Sequence, residues 1–150
     1  MKAINELKRV IKPGGIIAAR EMDWGAQLIY PENLLLQEAI ALRERAIRHL
    51  GSNYRIGRTL RKLFIDAGFN RVDAAANCEV IGDEQTLKDV PEYLAKQWET
   101  APFGKLILEK GWATPEKIRE YQEAVLNFPT QPGAFHCWTW CHVVALPNFI

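Results

Sequence analysis

Apolar positions at helical spacing open the chain. Ile4, Leu7, Val10 and Ile11 recur on one face, and Lys8, Arg9 and Lys12 crowd the final turn, where cations oppose the negative end of the helix dipole. Pro13-Gly14-Gly15 breaks that helix, and Ile16-Ile17-Ala18-Ala19 follows as an uninterrupted apolar run, the pattern of a short strand covered on both faces. Arg20, Glu21, Met22, Asp23 and Trp24 then read as the segment leaving the strand, and Gly25 as a break. Past Tyr30-Pro31 the helical period returns from about residue 32 to 50, with Leu35, Leu36, Ala39, Ile40, Leu42, Ala46, Ile47 and Leu50 facing a core, Glu44 and Arg48 paired outward, and Gly51 closing it. A shorter helix carries Ile56, Leu60, Leu63, Phe64 and Ala67 on one face and stops at Gly68.

The period then drops to two. Asn70 to Ile81 predicts a strand with Val72, Ala74, Ala76, Cys78 and Val80 on one side. A helical region follows, a lid or inserted cap over about 84–128: Pro91 suits a first turn, Val90, Leu94 and Trp98 make a stripe, Gly111 ends a second short helix, and Thr114-Pro115 caps and opens a third that carries Ile118, Tyr121 and Val125. After Pro129 and Pro132-Gly133, Ala134 to Leu146 predicts a last strand. It sets Phe135, Cys137, Thr139, Cys141 and Val143 on one face and His136, Trp138, Trp140, His142 and Val144 on the other, too apolar and aromatic for an edge, so it reads as central. Helix, tight turn and buried strand make an α/β pattern, and no internal repeat interrupts it.

Composition narrows the class. At 150 residues and 48% hydrophobic the chain has the size and make-up of one ordinary globular domain, able to bury roughly 68–70% of its unfolded surface without a staple. Nineteen Lys and Arg against eighteen Asp and Glu, with no block of like charge, provide no electrostatic footprint for nucleic acid or an anionic membrane. No apolar run approaches the roughly 20 residues that span a bilayer, and the charged N-terminus lacks a signal-peptide core, so a cytoplasmic location is expected. The three cysteines, Cys78, Cys137 and Cys141, fit a reducing compartment. Metal binding is not expected: on an extended strand His136 and His142 lie roughly 20 Å apart, Cys137 and Cys141 roughly 13 Å, on opposite faces.

The run Leu7-Lys8-Arg9-Val10-Ile11-Lys12-Pro13-Gly14-Gly15-Ile16-Ile17 is similar to the segment that enters the fifth strand of Rossmann-like methyltransferases dependent on S-adenosylmethionine. The likeness continues in order. Ile56-Gly57-Arg58 and Ala67-Gly68-Phe69-Asn70-Arg71-Val72 resemble that family's helix leading to its sixth strand, and Gly111-Trp112, Pro132-Gly133-Ala134 and the aromatic last strand resemble the end of its ubiquinone/menaquinone-biosynthesis-like branch. The resemblance implies a partial Rossmann-like sheet of fifth, seventh and sixth strands, the seventh antiparallel, in a single region over residues 1–150 with a helical cap inserted before the last strand. It also exposes a deficit: the glycine-rich loop after the first strand and the acidic residue after the second, which hold the cofactor in this family, have no counterpart here. The chain is therefore expected to be the C-terminal, substrate-side half of such an enzyme, inactive by itself, with S-adenosylmethionine implied by the resemblance and no cofactor-binding residue to assign. A non-catalytic small-molecule-binding or oligomerisation module, and a truncated piece of a complete enzyme, are the alternatives. Without a fourth strand beside it, Ile16–Ala19 would be an exposed apolar edge, so a homodimer through that strand or a separate chain supplying the missing half is expected.

Ligands of open α/β sheets lie beyond the C-terminal ends of parallel strands, which points to Glu21 and Asp23 as the catalytic candidates and Trp24 as a substrate contact. One carboxylate would serve as base while a methyl acceptor receives the sulfonium methyl group in line. Tyr54 and Arg55, with Asn53 and Arg58, enter the following helix near the same cleft, and Trp98, Trp112, Trp138 and Trp140 suit an apolar pocket for a small acceptor. Solvated loop charges and plain core aromatics are the simpler readings of the same residues.

Overall fold

The computed structural model describes residues 2–147. Two compact units emerge, one made of residues 1–27, 55–79 and 138–150, the other of residues 28–54 and 80–137.

In the first unit, helix α1 (Lys2–Val10) and strand β1 (Ile17–Tyr30) flank the Pro13-Gly14-Gly15 turn. A single 3-10 turn, Gly57–Thr59, leads into α3 (Leu60–Asp66), and Gly68 at φ +80° lets the chain reverse into β2 (Phe69–Ile81). The last strand, β3 (Phe135–Pro147), lies between the other two in the sheet order β1-β3-β2, so it is central. The core packs Leu60 and Phe64 of α3 onto Ile17, Phe69, Val72, Val143 and Ala145 of the strands, with Ile4 and Ile11 partly buried against them. Lys8 is the clasp. Its ammonium donates to the carbonyls of Ala67 (2.9 Å) and Gly68 (2.8 Å), so a cation at the end of α1 also satisfies acceptors left open where α3 stops.

Two expectations for the strands are corrected. The first strand does not end at Ala19. It continues for 14 residues, so Glu21, Asp23 and Trp24 stand within β1 and Gly25 does not break it. The chain straightens there because Asp23 is buried and finds a partner across the unit in Arg58, which turns a polar stretch that reads as loop into pleated backbone. The second concerns the alternating row of β2, which is buried at Val72 alone: every residue from Asp73 to Val80 is exposed on this edge strand.

The second unit is helical, with α2 (Leu34–His49), α4 (Glu84–Thr100), α5 (Pro102–Glu109) and α6 (Pro115–Asn127). Side-chain caps start three of them: Asn33 accepts from Leu36 N–H, Asp83 from the N–H groups of Gln85 and Thr86, and Thr114 from Lys117 N–H. The Asp83 cap corrects the reading of Pro91. The helix nucleates at Asp83, so Pro91 lies in the interior of α4, where its ring removes the bond an N–H would give to the carbonyl four residues earlier. Ala39, Ala46, Trp98, Phe103, Ile107, Ile118 and Tyr121 form the core. Trp98 is its hub, edge-on to Phe103 at 5.3 Å and tilted against Tyr121 at 5.4 Å. α5 begins close enough to α4 that a Cβ on Gly104 would stand 1.9 Å from the Trp98 carbonyl oxygen, so this position admits only glycine. Among the described residues no helix is long and apolar enough to cross a membrane.

Candidate functional site

Asp23 is the organising residue of the first unit. Its side chain is 1% exposed, and its carboxylate accepts from the backbone N–H of Gly25 (3.1 Å) and Arg58 (3.0 Å) and from the Arg58 guanidinium through Nε (2.6 Å) and Nη2 (2.8 Å). The contact depends on Gly57. A Cβ there would lie 2.9 Å from both the Cβ and the backbone nitrogen of Asp23 and 3.1 Å from the Cys141 sulfur, so only glycine lets the turn into α3 approach β1 this closely. Burial pushes the Asp23 carboxyl up, but the guanidinium bonds, the two N–H donors and the Arg58 charge outweigh it, and its pKa lies below the ordinary aspartate value. Burial, with the Asp23 charge beside it, pushes the Cys141 thiol up. A carboxylate has about four acceptor positions, and these donors fill them, so Asp23 as the anion fastens the start of α3 to β1.

The other sequence-predicted residues divide between the units. Glu21 is exposed on β1, two positions from Asp23. Trp24 is half-buried, its ring 5.6 Å from that of Trp138. Arg55 lies over Gly25, with its Nε 2.6 Å from where a Cβ would stand. Trp140 is stacked under the Arg20 guanidinium at 4.2 Å and donates its indole N–H to Glu79, while His142 pairs with Asn77. β1 thus gathers Glu21, Asp23, Trp24 and, through Gly25, Arg55.

Tyr54, Trp98 and Trp112 belong to the helical unit. Tyr54 is 2% exposed, near enough to the half-buried Arg43 to act on its charge. Trp98 is the hub described above. Trp112 is half-buried, with the Arg45 guanidinium 3.8 Å from its ring centre and His49 edge-on at 5.5 Å. A cleft of about 340 Å³ opens on this unit, lined by Asn33, Leu35, Glu120, Glu123, Ala124, Asn127, Phe128 and Gln131. It contains no residue that the sequence singled out for a site. The Arg58 clamp and the glycine that permits it carried more structural weight than the sequence suggested; the signal was a glycine-arginine pair where a helix begins.

The glycines do not form a cradle for S-adenosylmethionine. Where a Cβ would clash, the neighbouring atoms belong to this chain: Ile11 and Lys12 at Gly15, Arg55 at Gly25, Asp23 and Cys141 at Gly57, Lys8 at Gly68, Trp98 at Gly104. Close backbone approach therefore serves internal packing.

No model of a known protein family matches the chain. It is similar to a protein of Schizosaccharomyces pombe (strain 972) named as an uncharacterized methyltransferase, 36% identical over 92 residues, which cover 57% of this chain and 31% of that protein. The chain thus spans less than a third of the relative's length, and what the likeness supports is a methyltransferase-like relationship.

Proposed function

We propose that the chain is the substrate-side part of a methyltransferase dependent on S-adenosylmethionine, with its three strands in the fifth, seventh and sixth positions of a Rossmann-like sheet. The observation that carries this reading is the sheet order β1-β3-β2, in which the last strand of the chain separates two earlier ones; the partial likeness to a methyltransferase-named protein agrees with it. β1 is an edge, and in this reading its outer side receives the remainder of the sheet, from a longer chain or a separate one, together with the glycine-rich loop that this chain lacks. S-adenosylmethionine, held there, supplies an electrophilic methyl group. This chain supplies the acceptor side. Glu21 is its proposed base, exposed and on β1, while Asp23, with its acceptor positions filled, holds that strand in place; Trp24 and Arg55 flank a small-molecule acceptor in a cytoplasmic enzyme.

Calorimetry tests this. The 150-residue chain gives no heat with millimolar S-adenosylmethionine, whereas the product of a longer reading frame, carrying a glycine-rich loop ahead of Met1, binds it saturably and loses turnover on Glu21→Gln. Saturable binding by the chain alone overturns the proposal.

A further inference from the structure

The opposite edge of the sheet, β2, raises a separate question. From Asp73 to Val80 every residue is exposed, and as an outer strand β2 turns one row of its N–H and C=O groups away from β3. An outer strand exposed over such a run is a template for another strand. Its side chains show which one. From Arg71 to Glu79, odd-numbered residues share the face on which Asn77 and Glu79 meet His142 and Trp140, and even-numbered residues share the face of the buried Val72.

We propose that β2 pairs antiparallel with β2 of a second copy of this chain, across a two-fold axis perpendicular to the sheet at Ala75. Ala75 is the midpoint of Phe69–Ile81, so this register pairs the whole strand. It also places Arg71 opposite Glu79 of the second copy, and Glu79 opposite its Arg71, with Asp73 beside Asn77 on the same face. On the other face Val72 meets Cys78 and Ala74 meets Ala76. Moving the axis to Ala76 sets Asp73 against Glu79, a like-charge pair; moving it to Ala74 sets Arg71 against Asn77 and Phe69 against Glu79. Full overlap and charge complementarity therefore select one register. Arg71 already bonds Asp73 at 2.9 Å in its own strand, with both side chains well exposed, so its guanidinium is held on the correct face and retains donors for a second carboxylate.

The register makes a covalent test possible. Paired Cα atoms across the axis lie roughly 4.5–5.5 Å apart, within disulfide range, whereas the two Cys78 residues lie roughly 20 Å apart along the strands. Under mild oxidation the 150-residue Ala75→Cys chain cross-links to a dimer, and the unsubstituted chain does not. In sedimentation equilibrium the chain is a dimer at tens of micromolar, Arg71→Glu weakens dimerisation roughly tenfold to thirtyfold, and the double exchange Arg71→Glu with Glu79→Arg restores it to within roughly threefold. A chain still monomeric at about 100 µM overturns the proposal. So does a dimer cross-linked by Ala18→Cys on β1 in place of Ala75→Cys, a spontaneous Cys78 disulfide, or a double exchange no better than the single one.

Discussion

The helical unit closes an aromatic cluster in: Trp98, Phe103 and Tyr121 are all buried, although Tyr93 stays exposed. The sheet unit leaves Trp24, Trp138 and Trp140 half-buried and a whole strand, β2, exposed along most of its length. Backbone chemistry explains the contrast. A helix satisfies its hydrogen bonds internally, so α2, α4, α5 and α6 need only match apolar stripes. A strand must find its bonds in a neighbour, and a three-stranded sheet always retains two edges. The units also fix themselves differently, one by interlocked rings, the other by a buried carboxylate held by Arg58.

Four measurements sharpen or break that contrast. The largest effect is expected at the hub of the helical unit: Trp98→Ala removes ring contacts to Phe103 and Tyr121 and costs about 4 kcal/mol in urea denaturation. A loss below about 1 kcal/mol would show that the hub collapses without consequence.

Acid distinguishes the units next. Burial lowers the pKa of His136 from 6.5 to about 4, so the folded helical unit holds it neutral. A base whose folded pKa is lowered contributes fully above its unfolded pKa and loses that contribution as pH falls toward the folded value. Stability is therefore level above pH 6.5 and declines by about 3 kcal/mol as pH falls to about 4. Denaturation curves at stepped pH measure this, and His136→Gln flattens the decline. Asp23 is a carboxylate with a lowered pKa, so its contribution is present above its unfolded value of 3.8 and goes only as pH falls through the lowered folded value. Acid loss beginning near pH 6 in the His136→Gln chain would contradict this assignment.

Asp23→Asn follows, at about 2 kcal/mol, since the amide keeps the shape but not the charge that the guanidinium and two N–H groups address. Comparable urea midpoints for the two chains at neutral pH would show the clamp to be incidental. The smallest effect belongs to Arg45→Ala, which removes an exposed cation from the Trp112 ring and costs about 0.5 kcal/mol, with a change in tryptophan fluorescence as its more sensitive readout.

Much of the element order was legible along the chain. Apolar spacing located α1, α2, α3 and α6, the glycines at 51, 68 and 111 marked where chain direction changes, and the two-faced apolar pattern of the last strand placed it at the centre of the sheet. Local pattern failed where a distant residue intervened. Arg20 to Trp24 reads as loop because its polar residues have no visible partner; Arg58, 35 residues beyond Asp23, supplies one and the strand runs on. Pro91 reads as a helix start until the capping side chain of Asp83 is seen to begin α4 before it. The candidate site was legible only in part: Glu21, Asp23 and Trp24 stand on β1 with Arg55 against Gly25, but nothing local separates an exposed carboxylate, Glu21, from one fully engaged, Asp23.

By itself the sequence determined the periodicities, caps and breakers, because these depend on neighbours within a turn or a pleat. Tertiary structure decided which edges stay open, which carboxylate is bound and that the turn at Gly57 needs glycine, because each depends on chain tens of residues away being brought alongside.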